Sequence, residues 1–200
     1  MGSHSVTRDE WELAQAAEDL SWSPRGAYPC LSGKLNRERN NQRSLIRELG
    51  FDVFIASLPT DRDIYLLDIG AGPRSAFENL SFSENVKLIA TDPLANEYHK
   101  FGQYEMDKFR TTYYTYPAES LLMCPRDVPY FDAILCTNAL DHTQDPKKVC
   151  QEIKRVLRNG GLLFLQICLD NALYNKHEAH KINLNPMLIT EWLGSDFETI

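Results

Sequence analysis

The sequence predicts an α/β fold, a doubly wound and mostly parallel sheet with helices on both faces, preceded by an N-terminal helical cap. Three observations predict it. From Ile64 onward, short apolar runs alternate with helical stretches, which is the pattern of successive strand–helix–strand units. The first run, Ile64 to Ile69, carries an acid near its end and leads at once into the glycine turn Gly70-Ala71-Gly72. Before Ile64, apolar residues recur at helical rather than strand spacing.

Composition narrows the class. A chain of 200 residues holds one domain with at most an appendage, and 43% hydrophobic with 24% charged residues describes an ordinary globular chain. Lys and Arg number 21 against 28 Asp and Glu, a formal charge of -7 that repels a phosphate backbone, so nucleic acid is not expected as a partner. The local basic run of Lys34, Arg37, Arg39, Arg43 and Arg47 reads as a solvated helix face. Five cysteines without a C-x-x-C pair suit reduced, buried thiols rather than a disulfide or zinc framework. No apolar run approaches a membrane span and no apolar leader core opens the chain, so a cytoplasmic protein with no membrane partner is expected.

The elements follow in order. Thr7 and Glu10 form a capping-box pair, and Trp11, Leu13, Ala14, Ala17 and Leu20 continue a helix to about residue 20. A second helix is expected over 36–49, stopped by Gly50, with Pro59-Thr60-Asp61 as the joint. Residues 1–60 thus read as a cap and 61–200 as the sheet domain. Strands are expected at 64–69, 86–91, 112–115, 131–136 and 162–167, and helices at 146–157 and 186–193. Asn159-Gly160-Gly161 reads as the end of the first of those helices, and a further strand as starting at Phe197.

The turn after the first strand borders the expected ligand site, because open parallel sheets bind ligands beyond the carboxyl ends of their strands. Ser75 stands where a dinucleotide fingerprint wants glycine, Pro73 removes a backbone donor, and Asp68 places a carboxylate where a diphosphate would arrive. The turn therefore favours a ligand with a positive group, such as the ammonium and sulfonium of S-adenosylmethionine. Asp68-x-Gly70-x-Gly72 resembles the first motif of the class I S-adenosylmethionine-dependent methyltransferases, a family with a Rossmann-like sheet. The ordered resemblance continues through Asp92, the segment 116–121, the run from Phe131 to His142, and Asp145-Pro146 with the helix and Gly160-Gly161 beyond.

This resemblance implies S-adenosylmethionine as cofactor, with Asp68, Gly70, Gly72, Asp92, Pro93, Ala118, Glu119, Thr137 and Asn138 as binding residues. Asp92 falls at the family's ribose position; its alternative is the cap of a following helix. Ala118 and Glu119 fall at the adenine position, where Pro117 replaces the usual acid, and Glu119 reads equally well as a surface residue. Thr137 and Asn138 underlie the methionine portion. His142 is the candidate base, with Asp141 to orient it or bind substrate; the alternative is a loop histidine that packs without proton transfer. His177, His180 and Asn183 are candidate acceptor contacts. His177-Glu178-Ala179-His180 lacks the spacing of a zinc helix, and no metal is expected.

The implied activity is methyl transfer to an oxygen or nitrogen of a small polar acceptor such as a sugar, metabolite or natural-product intermediate. The alternative is a non-catalytic methyltransferase-like binding or partner module. The family usually ends with two more strands than this sequence carries. A fragment or a missing strand would leave an open sheet edge, and that edge or the cap offers a surface for homo-oligomers.

Overall fold

The computed structural model describes residues 5–23, 44–77, 80, 82–100, 111–123, 130–167 and 182–198. Five strands form one sheet: β1 (Ile64–Ile69), β2 (Val86–Thr91), β3 (Thr111–Tyr114), β4 (Phe131–Thr137) and β5 (Leu157–Gln166). Their spatial order is β3-β2-β1-β4-β5 and every pairing is parallel. Such a sheet must be covered on both faces, and β4 is accordingly buried at every position.

Alternation along the strands divides the core in two. Ile64, Leu66, Leu88, Ala133 and Leu135 face one layer with Ile46, Phe51, Ala76 and Phe77. Leu67, Ile69, Ile89, Ile134 and Cys136 face the other, where Val149, Cys150, Ile153 and Val156 of one helix meet Ile189 and Leu193 of another. These helices are α4 (Pro146–Val156), capped by the Asp145 carboxylate accepting from the Lys148 N–H at 3.1 Å, and α5 (Pro186–Leu193), capped likewise by Asn185. The earlier helices are α1 (Arg8–Trp22), α2 (Phe51–Ser57) and α3 (Ala95–Lys100). Among the described residues no helix is long and apolar enough to cross a membrane.

α1 begins on the expected capping box, with the Glu10 N–H donating to the Thr7 hydroxyl and the Thr7 N–H donating to Glu10. Of the second expected helix, residues 44–48 are helical and 36–43 lie outside the described residues. Gly50, left-handed at φ 80°, follows the end of that helical segment as expected, and α2 starts directly after it. Ile46 and Phe51 are buried in the sheet's own core, so residues 44–57 pack as a flank of the sheet.

The Asn159-Gly160-Gly161 segment lies inside β5 rather than capping α4. The pairing of β5 with β4 jumps from Phe131 opposite Leu157 to Ala133 opposite Leu162, and Gly160 at φ 73° absorbs the extra residues. A Cβ at Gly161 would lie 2.9 Å from the Asp132 carbonyl oxygen, so the bulge presses close against β4. Residues 197 and 198 are not in a strand.

An ionic cluster fixes the amino end of the sheet. The buried Asp132 carboxylate accepts from Arg62 at 2.6 and 3.1 Å and from the Tyr65 N–H at 2.9 Å, and Arg158 lies 3.0 Å away. Burial pushes its pKa up, but the Arg62 hydrogen bonds, the Tyr65 N–H and the two guanidinium charges outweigh burial and hold it below the ordinary carboxylate value.

Candidate functional site

The strand order reverses at β1: on one side the chain runs to β2 and β3, on the other to β4 and β5. The crevice at the carboxyl ends of β1, β2 and β4 is therefore the place where a ligand meets backbone from several turns at once.

The turn after β1 is held by its own acid. Asp68 is 1% exposed, and its Oδ2 accepts from the Ser75 hydroxyl at 2.6 Å and from the Ala76 N–H at 3.0 Å. Ser75 in turn donates its N–H to the Tyr113 hydroxyl of β3 at 2.8 Å. The residue that departs from a dinucleotide fingerprint thus ties β1 to β3. Gly70 (φ 64°) donates to the Thr91 carbonyl at 2.8 Å, and Gly72 (φ 60°) donates to Asp92 Oδ2 at 2.9 Å. Both need the left-handed backbone that glycine adopts without a steric penalty.

Asp92 follows β2, and its Oδ1 accepts from the Leu94 N–H at 2.8 Å just before α3. Capping does not exclude a ligand role, because a carboxylate offers roughly four acceptor positions. Pro93 beside it is half-buried.

Beyond β3, Tyr114 and Tyr116 stack with centroids 5.6 Å apart, and Ala118 is buried in the core at the start of a short 3-10 segment, Ala118–Met123. Glu119 Oε1 accepts from the N–H groups of Gln144 at 2.6 Å and Asp145 at 3.0 Å. This carboxylate oxygen braces the loop that enters α4.

Thr137 closes β4 and is buried, whereas Asn138 is exposed with φ 49°, the sole left-handed non-glycine among the described residues. Asn tolerates that region better than most side chains, and strained backbone of this kind collects at functional sites. A 3-10 turn, Leu140–His142, follows, with Asp141 1% exposed. Asn183 is exposed between buried Ile182 and Leu184, and His177 and His180 lie outside the described residues.

α1, which the sequence marks as part of the cap, contributes side chains to this end of the sheet. α1 packs against both α3 and the Leu140–His142 turn, so it touches elements leaving the carboxyl ends of β2 and β4. Trp11 Nε1 donates to the His142 carbonyl at 3.1 Å, Gln15 Nε2 donates to the same oxygen at 3.4 Å, and the Val6 N–H donates to the Gln144 carbonyl at 3.0 Å. Glu18 Oε2 lies 3.8 Å from His142 Nδ1, and Trp22 Nε1 donates to Glu18 Oε1 at 2.6 Å. Trp11, Gln15, Glu18 and Trp22 recur at four, three and four residues, one face of a helix, and that spacing was the signal available in the sequence. Asp19, on the same helix, has its carboxyl raised above the ordinary value by burial and then by the charge of Glu97, against the opposing pull of Lys100.

The donor and acceptor set fits a polar nucleoside. Among the described residues, the buried atoms Thr91 Oγ1 and Gln166 Oε1, at the carboxyl ends of β2 and β5, have no hydrogen-bond partner. Buried polar atoms ordinarily find one, so a polar ligand or ordered water suits this end of the sheet.

Residues 67–165 match the family described as "Methyltransferase domain". The chain is similar to thiol S-methyltransferase TMT1B of Rattus norvegicus, 30% identical over 151 residues that make up 72% of this chain and 59% of that protein. The Homo sapiens protein of the same name is 29% identical over 152 residues, with the same coverage of 72% and 59%. The chain thus spans about three-fifths of the length of these relatives. Among solved structures, phosphoethanolamine N-methyltransferase 2 of Haemonchus contortus, in complex with phosphomonomethylethanolamine and S-adenosylhomocysteine, superposes with a TM-score of 0.53 at 19% identity, covering 96% of this chain and 44% of that one. The DszA carbon methyltransferase gives 0.52 at 24% identity, covering 74% and 41%. These two likenesses show the fold.

Proposed function

The chain belongs to the class I S-adenosylmethionine-dependent methyltransferases, and from that premise we propose that it methylates a small-molecule acceptor. The observation that carries the reading is the 2.9 Å bond from the Gly72 N–H to Asp92, which joins a left-handed glycine turn to a carboxylate where the strand order reverses.

In this reading Asp92 accepts from the ribose hydroxyls, with Pro93 alongside. The Gly70–Gly72 turn, backed by Asp68, meets the amino-acid tail. Ala118 borders the adenine, and Glu119 acts there through the Gln144–Asp145 loop that it braces. Thr137 and Asn138 lie beneath the methionine portion. S-adenosylmethionine, held by these residues, would supply a methyl carbon on a positively charged sulfur that can leave as a neutral thioether.

His142 takes the acceptor's proton. A neutral imidazole has a ring nitrogen able to accept that proton. A thiol is the proposed acceptor class because the curated relatives carry that activity in their names; hydroxyl and amine acceptors form the comparison arm. α1 acts as the cap, and residues 61–200, flanked by residues 44–57, as the cofactor-binding domain. Asn183, with His177 and His180, contributes to the acceptor side. Buried, reduced Cys136 and Cys150 support a cytoplasmic setting.

Calorimetry with S-adenosylhomocysteine, followed by methyl-labelled S-adenosylmethionine with small thiols, alcohols and amines, tests the proposal. Saturable binding and labelled thioether product are expected. Binding without product from any acceptor class would favour a non-catalytic binding module, and absence of binding would overturn the reading altogether.

A further inference from the structure

We propose that Glu18, supplied by α1, is a positioning residue that sets the tautomer of His142. The inference rests on the reading of His142 as the base.

Three observations on two elements 124 positions apart in sequence converge on it. Glu18 Oε2 stands 3.8 Å from His142 Nδ1, with the two side chains 22% and 17% exposed. The other Glu18 oxygen is fixed by the Trp22 indole at 2.6 Å, one turn further along α1, which limits the rotamers of a side chain that would otherwise wander. The His142 backbone is fixed as well, because its carbonyl accepts from Trp11 Nε1 and Gln15 Nε2 of the same helix. Helix and turn are therefore registered to each other at both the backbone and the imidazole.

A carboxylate facing Nδ1 favours the tautomer in which Nδ1 carries the proton, and it stabilises the imidazolium that forms when the ring takes a second one. The acceptor's proton then goes to Nε2. Asp141 is 1% exposed within its own 3-10 turn, and the Glu18 carboxylate faces the ring from α1. Sequence adjacency points to Asp141; the fold adds Glu18 at the ring.

The test is the imidazole 15N spectrum of the full chain, with turnover and S-adenosylhomocysteine calorimetry measured on the same samples. In the unsubstituted protein the neutral His142 ring is expected to show a protonated Nδ1 and an unprotonated Nε2. Glu18→Ala and Glu18→Gln should move it toward the Nε2-protonated form and lower kcat about tenfold or more, while S-adenosylhomocysteine affinity stays within about threefold. Affinity that holds while the tautomer moves distinguishes positioning from loss of α1 docking. An unchanged tautomer in both variants overturns the inference, and so does a changed tautomer with full turnover. Failure of the parent reading has a separate signature: no labelled product from the unsubstituted protein, whatever the ring shows.

Discussion

A Cβ placed on Gly70 would lie 2.3 Å from the Cβ of Ala139, so the turn after β1 and the turn after β4 touch across the point where the sheet reverses. Gly70→Ala must relieve that collision and also hold an alanine at φ 64°. It is expected to cost about 1–3 kcal/mol of stability and to weaken S-adenosylhomocysteine binding by at least tenfold. Thermal melting with and without the nucleoside checks both effects; a variant that melts and binds like the parent would show that the contact has no role.

Asp92→Ala removes the acceptor of two backbone N–H groups, those of Gly72 and Leu94, and the proposed ribose acceptor with them. Loss of the cap alone costs about 1 kcal/mol. A charge-assisted bond to a ribose hydroxyl is worth roughly 1.5–3 kcal/mol, which predicts about a tenfold to hundredfold loss of affinity beyond the stability effect. Calorimetry below the melting transition separates the two. Unaltered affinity would reduce Asp92 to a structural role.

His142→Ala should cut turnover by about a hundredfold or more if the imidazole takes the acceptor's proton. Near-normal turnover at saturating acceptor would remove it from the mechanism. A thiol acceptor adds a check: raising the pH toward about 8.5 ionises more of the thiol, so it should partly restore the variant.

Asp132 makes acid stability testable at the opposite end of the sheet. Its folded-state pKa is depressed, so the stability it contributes is complete above the unfolded carboxylate value near 3.9 and is lost as pH falls through the lower folded value. Asp132→Asn should therefore melt below the parent at neutral pH, with the gap closing as pH drops below about 4. A gap independent of pH would assign the difference to packing alone.

Much of this architecture was legible because its signals are local. Ile64–Ile69, Val86–Thr91 and Pro186–Leu193 fall where the apolar runs and the Asn-Pro start put them, and the Thr7–Glu10 capping box closes as its spacing requires. Where extended backbone and helix both accept a glycine, the sequence is ambiguous: Gly160-Gly161 forms a bulge instead of a cap. α2 was missed although Phe51, Phe54, Ile55 and Leu58 repeat at helical spacing, because Gly50 read as the end of the helical run. At the site, Asp68 and Asp92 could be placed at strand ends, but the partners of their oxygens could not. Those partners come from residues whose proximity only the folded chain creates, as do Glu119 with the Gln144–Asp145 loop and Glu18 with His142.

The seam between α1 and the Leu140–His142 turn has a practical corollary. The carbonyls of His142 and Gln144 draw donors from Trp11, Gln15 and Val6, all within the first described segment. A truncated variant that starts after residue 23 would keep every strand yet strip those oxygens of three donors. The rim of the crevice is built by chain that lies far upstream of the sheet, so an intact sheet is not by itself a working one.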